Sequence, residues 1–196
     1  MATFTELCDD VYTLTNRPDL VAEVKLAVKA ATLKLHQVDF FYKDLYETGI
    51  SFASSTYAQQ LEYRTLLPKY RALKYLRKSD STGTPGMFFG VLTPSEVLDV
   101  YGAERVDICY AAGELIQIKS STEFQYALLG CYLNPDVTEA GFNSWIALDH
   151  NYAIVYEAAV TVFKTIGYDE QSATYSKLAA EQLAAIRTSN ILAEGY

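Results

Sequence analysis

The chain has 196 residues, of which half are hydrophobic and one fifth are charged, a balance that excludes a mainly disordered protein. With 16 Lys and Arg against 24 Asp and Glu, the net charge is −8, which argues against a uniformly basic nucleic-acid-binding protein. The mean hydropathy is near zero, and no apolar run reaches the roughly 18 residues of a membrane span. Residues 1–10 have no basic segment followed by an apolar one, so no signal peptide is predicted.

Two helices are predicted at the start of the chain, over residues 3–15 and 18–37. Thr3 and Glu6 have the spacing of a capping box, and Pro18 with Asp19 marks the start of the second helix. One face of that helix is apolar at helical spacing and comprises Leu20, Val24, Ala27, Val28, Ala31 and Leu35.

The pattern becomes alternating and aromatic between residues 43 and 133. Strands are predicted at 45–50 and 57–67, and at 106–111 and 115–119 around a hairpin connection. Residues 71–78 fit a strand or a helical turn, and the neighbouring strands favour a strand at 124–133. Residues 79–86 are predicted as a plain turn, because they lack the lysine of a phosphate-binding loop. A short helix is predicted near 94–101.

Helical periodicity returns after the polar loop that ends near residue 143. A first turn is predicted at Trp145–Leu148, then a helix with an apolar face from Ile154 to Ile166, and a last helix that starts near Asp169. The order along the chain is helices, then strands, then helices, and this segregation predicts an α+β fold. The expected architecture is an antiparallel helical bundle from both chain ends with an inserted antiparallel β region. Its predicted segments are 1–42 with 134–190 for the bundle, 43–133 for the β region and 191–196 for a C-terminal tail.

No motif in the sequence carries a recognisable chemistry. Cys8, Cys109 and Cys131 are far apart, so they are interpreted as buried thiols and not as a disulfide framework or a zinc site. His36 and His150 are interpreted as ordinary structural histidines. Because phosphate-loop, nucleophile-elbow and metalloprotease signatures are missing, the sequence predicts no catalytic residue, no cofactor and no metal.

The charge is unevenly distributed along the chain. The net charge is −4 over residues 1–63, +2 over 64–119 and −6 over 120–196. Residues 64–78 contain six basic side chains and no acidic one: Arg64, Lys69, Arg71, Lys74, Arg77 and Lys78. We interpret them as an interface or tail-facing patch that pairs with acidic parts of a neighbouring subunit. The alternative is contact with a polyanion, with Tyr70 and Tyr75 stacking on bases.

Several segments carry a resemblance to a known family. They are 15–21 (TNRPDLV), 39–41 (DFF), 44–45 (DL), 73–77 (LKYLR), 82–86 (TGTPG), 143–146 (NSWI) and 163–170 (FKTIGYDE). With these segments the chain resembles the head-to-tail adaptor proteins of tailed bacteriophages, the group that includes tail tubular protein A-like subunits.

The resemblance implies a structural virion protein without enzymatic activity. Such adaptors assemble in the host cytoplasm into a dodecameric ring between the portal protein and the tail nozzle or tube, with no membrane partner. The ring lines the channel for DNA ejection, and an acidic wall lets DNA pass without specific binding. The C-terminal segment docks on the portal in this family, which assigns Ile191, Leu192 and Tyr196 as anchors.

Two other functions stay open from the residues alone. A small tyrosine-rich ligand-binding module or enzyme would have a polar pocket around Tyr42, Tyr46, Tyr57 and Tyr63. Direct DNA binding would use residues 64–78. The 16 tyrosines favour extensive interfaces, because tyrosine combines a large apolar ring with a hydroxyl group that needs a partner.

Overall fold

The computed structural model describes residues 2–98 and 102–194, and it confirms the α+β class. The chain divides into two compact units. The helical unit comprises Met1–Asp44 and Asn134–Tyr196, and the sheet unit comprises Leu45–Leu133. Both chain ends therefore belong to one unit, and the other unit is a single insertion.

The described residues form six helices and six strands. The helices are α1 (Phe4–Thr15), α2 (Val21–Gln37), α3 (Tyr63–Leu66), α4 (Trp145–Asp149), α5 (Asn151–Thr165) and α6 (Asp169–Glu194). The strands are β1 (Leu45–Glu62), β2 (Tyr70–Ser79), β3 (Pro85–Phe88), β4 (Gly90–Val91), β5 (Ile108–Ala112) and β6 (Leu115–Leu133). Short 3₁₀ turns lie at Tyr42–Asp44 and Pro94–Glu96.

The start of α1 follows the predicted capping box. The Glu6 amide donates to Thr3 Oγ1 at 3.2 Å, and the Thr3 amide donates to Glu6 Oε2 at 2.7 Å. Helix α2 begins at Val21, later than predicted, and a turn with an ion pair of 2.7 Å between Arg17 and Asp19 precedes it. That turn includes a hydrogen bond from the Leu20 amide to the Arg17 carbonyl.

The core of the helical unit is organised around α5, which packs against α1, α2 and α6. The predicted apolar face of α2 is buried except at Leu20, which is partly buried against the same core. From α5 the fully buried side chains include Ile154 and Val155. Gly167, with φ +77°, ends this segment as predicted. Burial of this continuous apolar surface is the main stabilisation of the unit.

The sheet unit is built around β6, with strand order β3-β2-β6-β5-β4 and β1 paired to the other side of β6. Strand β1 runs antiparallel to β6 from the pair Leu45–Tyr132 to the pair Glu62–Leu115. Strands β5 and β2 pair with successive parts of the opposite side. Residues from both halves of β6 share one core, so the sheet curls around it.

Four predictions for this unit are corrected. The strands predicted at 45–50 and 57–67 are one strand, β1, whose irregular register between Ser51 and Ala58 absorbs the break. Residues 63–66 are helical. Strands β4 and β5 pair in parallel, so the sheet is mixed and not purely antiparallel. The helix predicted near 94–101 is a 3₁₀ turn at Pro94–Glu96, and residues 99–101 lie outside the described residues.

A tyrosine ring crosses the central strand at Gly130. Tyr75 of β2 pairs with Gly130 of β6, and its hydroxyl group donates a hydrogen bond to Glu47 of β1. A Cβ atom at position 130 would overlap the Tyr75 ring. Burial, together with the hydrogen bond to Glu47, raises the pKa of Tyr75 to about 12. Because residue 130 is a glycine, the Tyr75 ring can cross β6 and connect β2 with β1.

We expect Gly130→Ala to lower the free energy of unfolding by about 1–3 kcal/mol, because the Tyr75 ring has to leave its position. Chemical denaturation followed by fluorescence measures the change. In a Tyr75→Ala background the same substitution should cost nothing. Gly49→Ala is the matched control, since a Cβ atom there meets no atom within 4 Å. An equal loss in both glycine variants would contradict the proposed overlap.

Candidate interaction surfaces

The predicted basic patch is divided between the two faces of β2. Side chains alternate across a strand, and Lys78 pairs with Ala127 on the core face. There its Nζ donates to Thr122 Oγ1 at 2.7 Å and lies 3.4 Å from Asp107 Oδ1. Arg77 lies on the opposite face, which we call the outer face of the sheet, with its Cζ 4.5 Å from the Phe88 ring centroid.

The other basic residues of the stretch are also dispersed. Arg64 lies in α3 with its Cζ 5.8 Å from the ring of Tyr63, and Lys74 has its Nζ 5.9 Å from the ring of Tyr132. Lys69 precedes β2, and Arg71 is half-buried within it. The sheet unit as a whole has 8 basic and 9 acidic residues, whereas the helical unit has 8 and 15. The six residues therefore do not form one cationic face.

The predicted portal anchors continue the last helix. Ile191 and Leu192 lie in the final turns of α6 and are 53% and 71% exposed, whereas the sequence predicted a tail from residue 191. Tyr196 lies outside the described residues. The helix is fixed nearby, because Asn190 Oδ1 accepts a hydrogen bond of 3.0 Å from the Tyr42 amide. Two large apolar side chains are thus held in solvent by an ordered helix.

The four tyrosines of the alternative pocket do not share a site. Tyr42 belongs to the helical unit and the other three to the sheet unit. Tyr46 and Tyr57 are exposed at distant positions of β1, whereas Tyr63 is buried and donates to the Gly113 carbonyl at 2.8 Å. An open cavity of about 390 Å³ does lie in the sheet unit. Its lining residues are Glu62, Arg64, Thr65, Ala112, Glu114 and Leu115.

The turn predicted at 79–86 is confirmed over residues 80–84, whereas Ser79 ends β2 and Pro85 begins β3. The Asp80 side chain occupies this turn. Asp80 Oδ1 accepts hydrogen bonds from the amides of Thr82 and Thr84 and from the Thr82 hydroxyl group. These bonds lower the pKa of Asp80, and the one from the Thr82 hydroxyl group has the largest effect. Backbone amides that a phosphate would need are therefore already engaged.

The helical unit contains a buried polar network that was not predicted from the sequence. His36 Nδ1 lies 2.7 Å from Asp44 Oδ1, and His36 Nε2 lies 2.9 Å from Ser144 Oγ. Trp145 Nε1 donates to the same Asp44 oxygen at 2.7 Å. The carboxylate only accepts, so a neutral His36 carries its proton on Nδ1 and accepts at Nε2 from the Ser144 hydroxyl. The connectivity is that of a Ser-His-Asp triad.

The network is built for structure. Ser144 and His36 are 5% and 2% exposed, so a substrate has no access to the hydroxyl group. Ser144 Oγ also accepts the Ala147 amide at 3.2 Å as the N-cap of α4. The three residues thus join α2, the turn Tyr42–Asp44 and the start of α4 through buried hydrogen bonds. The separation of His36 and Ser144 by 108 residues explains why no local motif indicated it.

The three cysteines are free and buried, as the sequence indicated. Burial raises the pKa of Cys109 to about 12, and that of Cys8 and of Cys131 to about 11. Thiols with such pKa values are poor nucleophiles near neutral pH.

We expect Ser144→Ala to lower the free energy of unfolding by about 1–3 kcal/mol, because it removes a helix cap and leaves His36 Nε2 buried without its donor. Thermal and urea unfolding measure the loss. Ser176→Ala, at an exposed position of α6, is the control and should change stability little. Equal stability of the two variants would contradict the structural role of the network.

We expect a fluorophosphonate reagent to leave Ser144 unmodified in the native chain, because its hydroxyl group is buried. Mass spectrometry of the digested protein measures the modification, with Ser144→Ala as the background control. Stoichiometric labelling of Ser144 in the native protein would contradict this expectation and would favour the enzyme alternative.

Within residues 2–98 and 102–194, no group of three or more His, Cys, Asp or Glu side chains is placed to hold a metal ion. Among the helices described, none is both long and apolar enough to cross a membrane. The chain matches no protein-family model, and no curated protein is significantly similar to it. Its function therefore has to be inferred from the chain itself.

Proposed function

We propose that this chain is a structural virion protein, a head-to-tail adaptor that forms a dodecameric ring between the portal and the tail of a tailed bacteriophage. In this proposal α1, α2, α5 and α6 form the antiparallel bundle of each subunit and pack between neighbours. The sheet unit faces the tail nozzle or tube. The ring lines the DNA channel, has no enzymatic activity and assembles in the host cytoplasm.

The observation that carries the proposal is the two-unit organisation of the chain. Both chain ends build a helical unit, and one continuous insertion, Leu45–Leu133, builds a separate sheet unit with its own core. A protein that joins two different assemblies benefits from two separately stabilised units, since each can present its own surface. The sequence segments that resemble phage adaptors lie in both units.

The end of α6 supports a docking role. Leu192 and Ile191 are exposed apolar side chains on a helix held by the hydrogen bond between Asn190 and Tyr42. Burying them against an apolar groove of the portal would add about 25 cal/mol for each Å² of apolar surface removed from water. Together with Tyr196 they are the proposed portal anchors.

Exposed aromatic side chains support a protein with large interfaces. Tyr152 and Tyr168 of the helical unit are 53% and 48% exposed, and they lie at the two ends of a row of ring contacts. The row runs Tyr152, Tyr156, Tyr175, Phe163 and Tyr168 along α5 and the start of α6. Ordered rings at a surface suit a protein interface, because little side-chain entropy is lost on binding.

The charge distribution favours a channel wall over a DNA-binding protein. The helical unit has nearly twice as many acidic as basic residues, which repels phosphates and opposes adhesion of passing DNA. The residues 64–78 offer DNA no continuous cationic face, since Lys78 is engaged with Asp107 and Thr122. Direct DNA binding through this stretch is therefore the weaker proposal.

The test is assembly with the portal protein encoded in the same genome as this chain. We expect electron microscopy to show a ring of this protein on the portal. Leu192→Asp should weaken portal binding about tenfold or more, because a charge would be desolvated in an apolar contact. Val106→Asp is the matched control, since Val106 is 57% exposed and belongs to the sheet unit, which does not carry the proposed anchors.

A chain that stays monomeric in the presence of the portal protein would overturn the ring. Equal portal binding by Leu192→Asp and the wild type would overturn the anchor assignment alone. Thermal unfolding checks that both variants are folded. We expect both to fold, because substitutions at exposed positions change stability little.

A further inference from the structure

We infer that Arg77, stacked on Phe88 at the outer face of the sheet, binds the acidic start of α6 in a second copy of this chain. The inference rests on the proposed ring and names the contact between neighbours. Arg77 is held against the Phe88 ring, and the terminal nitrogens of its guanidinium are the donors that a carboxylate would meet.

The Arg77 guanidinium is held in place but not satisfied. Its Cζ lies 4.5 Å from the centroid of the Phe88 ring, and that ring makes an edge contact of 5.7 Å with Tyr75. Arg77 Nε is buried and has no hydrogen-bond partner in the described structure. Nε is closed to solvent, so an incoming carboxylate would accept from the terminal nitrogens of the guanidinium in a charge-assisted hydrogen bond. The arginine is thus preorganised for an incoming carboxylate.

The surface around Arg77 is also apolar. Phe88 and its neighbour Met87 are 54% and 51% exposed, and they belong to β3, the last strand on this side of the sheet. An exposed apolar edge strand usually has a partner or a protective device. The matching surface therefore combines a carboxylate with an apolar or aromatic side chain.

The helical unit of a second copy provides that combination. It holds 15 acidic residues against 8 basic ones, so it offers many carboxylates to a single outward-facing arginine. Asp169 and Glu170 begin α6, are exposed, and form no ion pair within the described part of the chain. They directly follow Tyr168, which is 48% exposed and stacked on Phe163. Asp9 and Asp10 are the other adjacent pair in this unit, but Asp10 is half-buried.

The contact would be directional. Arg77 and Phe88 belong to the sheet unit, whereas Tyr168, Asp169 and Glu170 belong to the helical unit. A contact between two different surfaces of identical chains leaves one of each surface free at every step. Such heterologous contacts build closed rings when the rotation between copies closes.

Charge reversal and rescue test the contact. In sedimentation equilibrium of the full chain at low ionic strength, Arg77→Glu should weaken self-association about tenfold or more. The paired change Asp169→Lys with Glu170→Lys should do the same, and a chain with all three substitutions should recover. Arg105→Glu is the matched control, an exposed arginine of the same unit that should change self-association less than about twofold. The same variants are then assembled on the portal.

The outcomes separate this contact from the adaptor proposal. If Arg77→Glu self-associates and forms rings like the wild type, the contact is overturned and the adaptor proposal stands. If the wild type neither self-associates nor forms a ring on the portal, both are overturned. Recovery in the triple variant supports the contact in particular, because a folding defect from Arg77→Glu would not be repaired by changes in α6.

Discussion

The sheet unit depends on the pairing of one long strand, β6, with three others. Strands β1, β2 and β5 all form their hydrogen bonds with it, so a displacement of β6 would disrupt every ladder except two short edge pairs. Ile116 and Leu129, from its two halves, face the same core, which requires the strand to bend between them. The irregular register of β1 opposite residues 119–126 supplies that bend. Gly130 meets a second requirement, because the Tyr75 ring needs the space of a side chain.

This arrangement also determines what the basic stretch of β2 can do. Six basic residues within 64–78 suggest a single patch in the sequence. In a strand, however, neighbouring side chains point to opposite faces. Lys78 faces Asp107 and Thr122, and its charge is used inside the sheet unit. Arg77 lies on the outer face, where its guanidinium stacks on the ring of Phe88. The pleat of β2 therefore decides which of these basic side chains share a face, and the number of positive charges does not.

The parts of the fold that were predictable are those with local causes. The capping box of Thr3 and Glu6 and the apolar face of α2 are visible within one or two helical turns of sequence. The length of β1 was not visible, because its continuity is imposed by β6, with Leu45 paired to Tyr132. The network of His36 was hidden for the same reason, since its partners are brought together only by folding. The last helix was predicted too short, although no glycine or proline interrupts residues 169–194.

Exposure alone does not identify an interface on this chain, and the surroundings of an exposed side chain decide its meaning. Leu26 is 69% exposed, and a single exposed leucine is normal for a protein surface. Phe88 is less exposed, but it supports a guanidinium with a buried, unsatisfied Nε and lies on an edge strand. A structure that holds an arginine in an incomplete hydrogen-bonding state loses stability as a monomer. The Nε atom is closed to solvent, so in the contact that we propose with the start of α6 of a second copy a carboxylate would act through the terminal nitrogens of Arg77 and leave this cost in place.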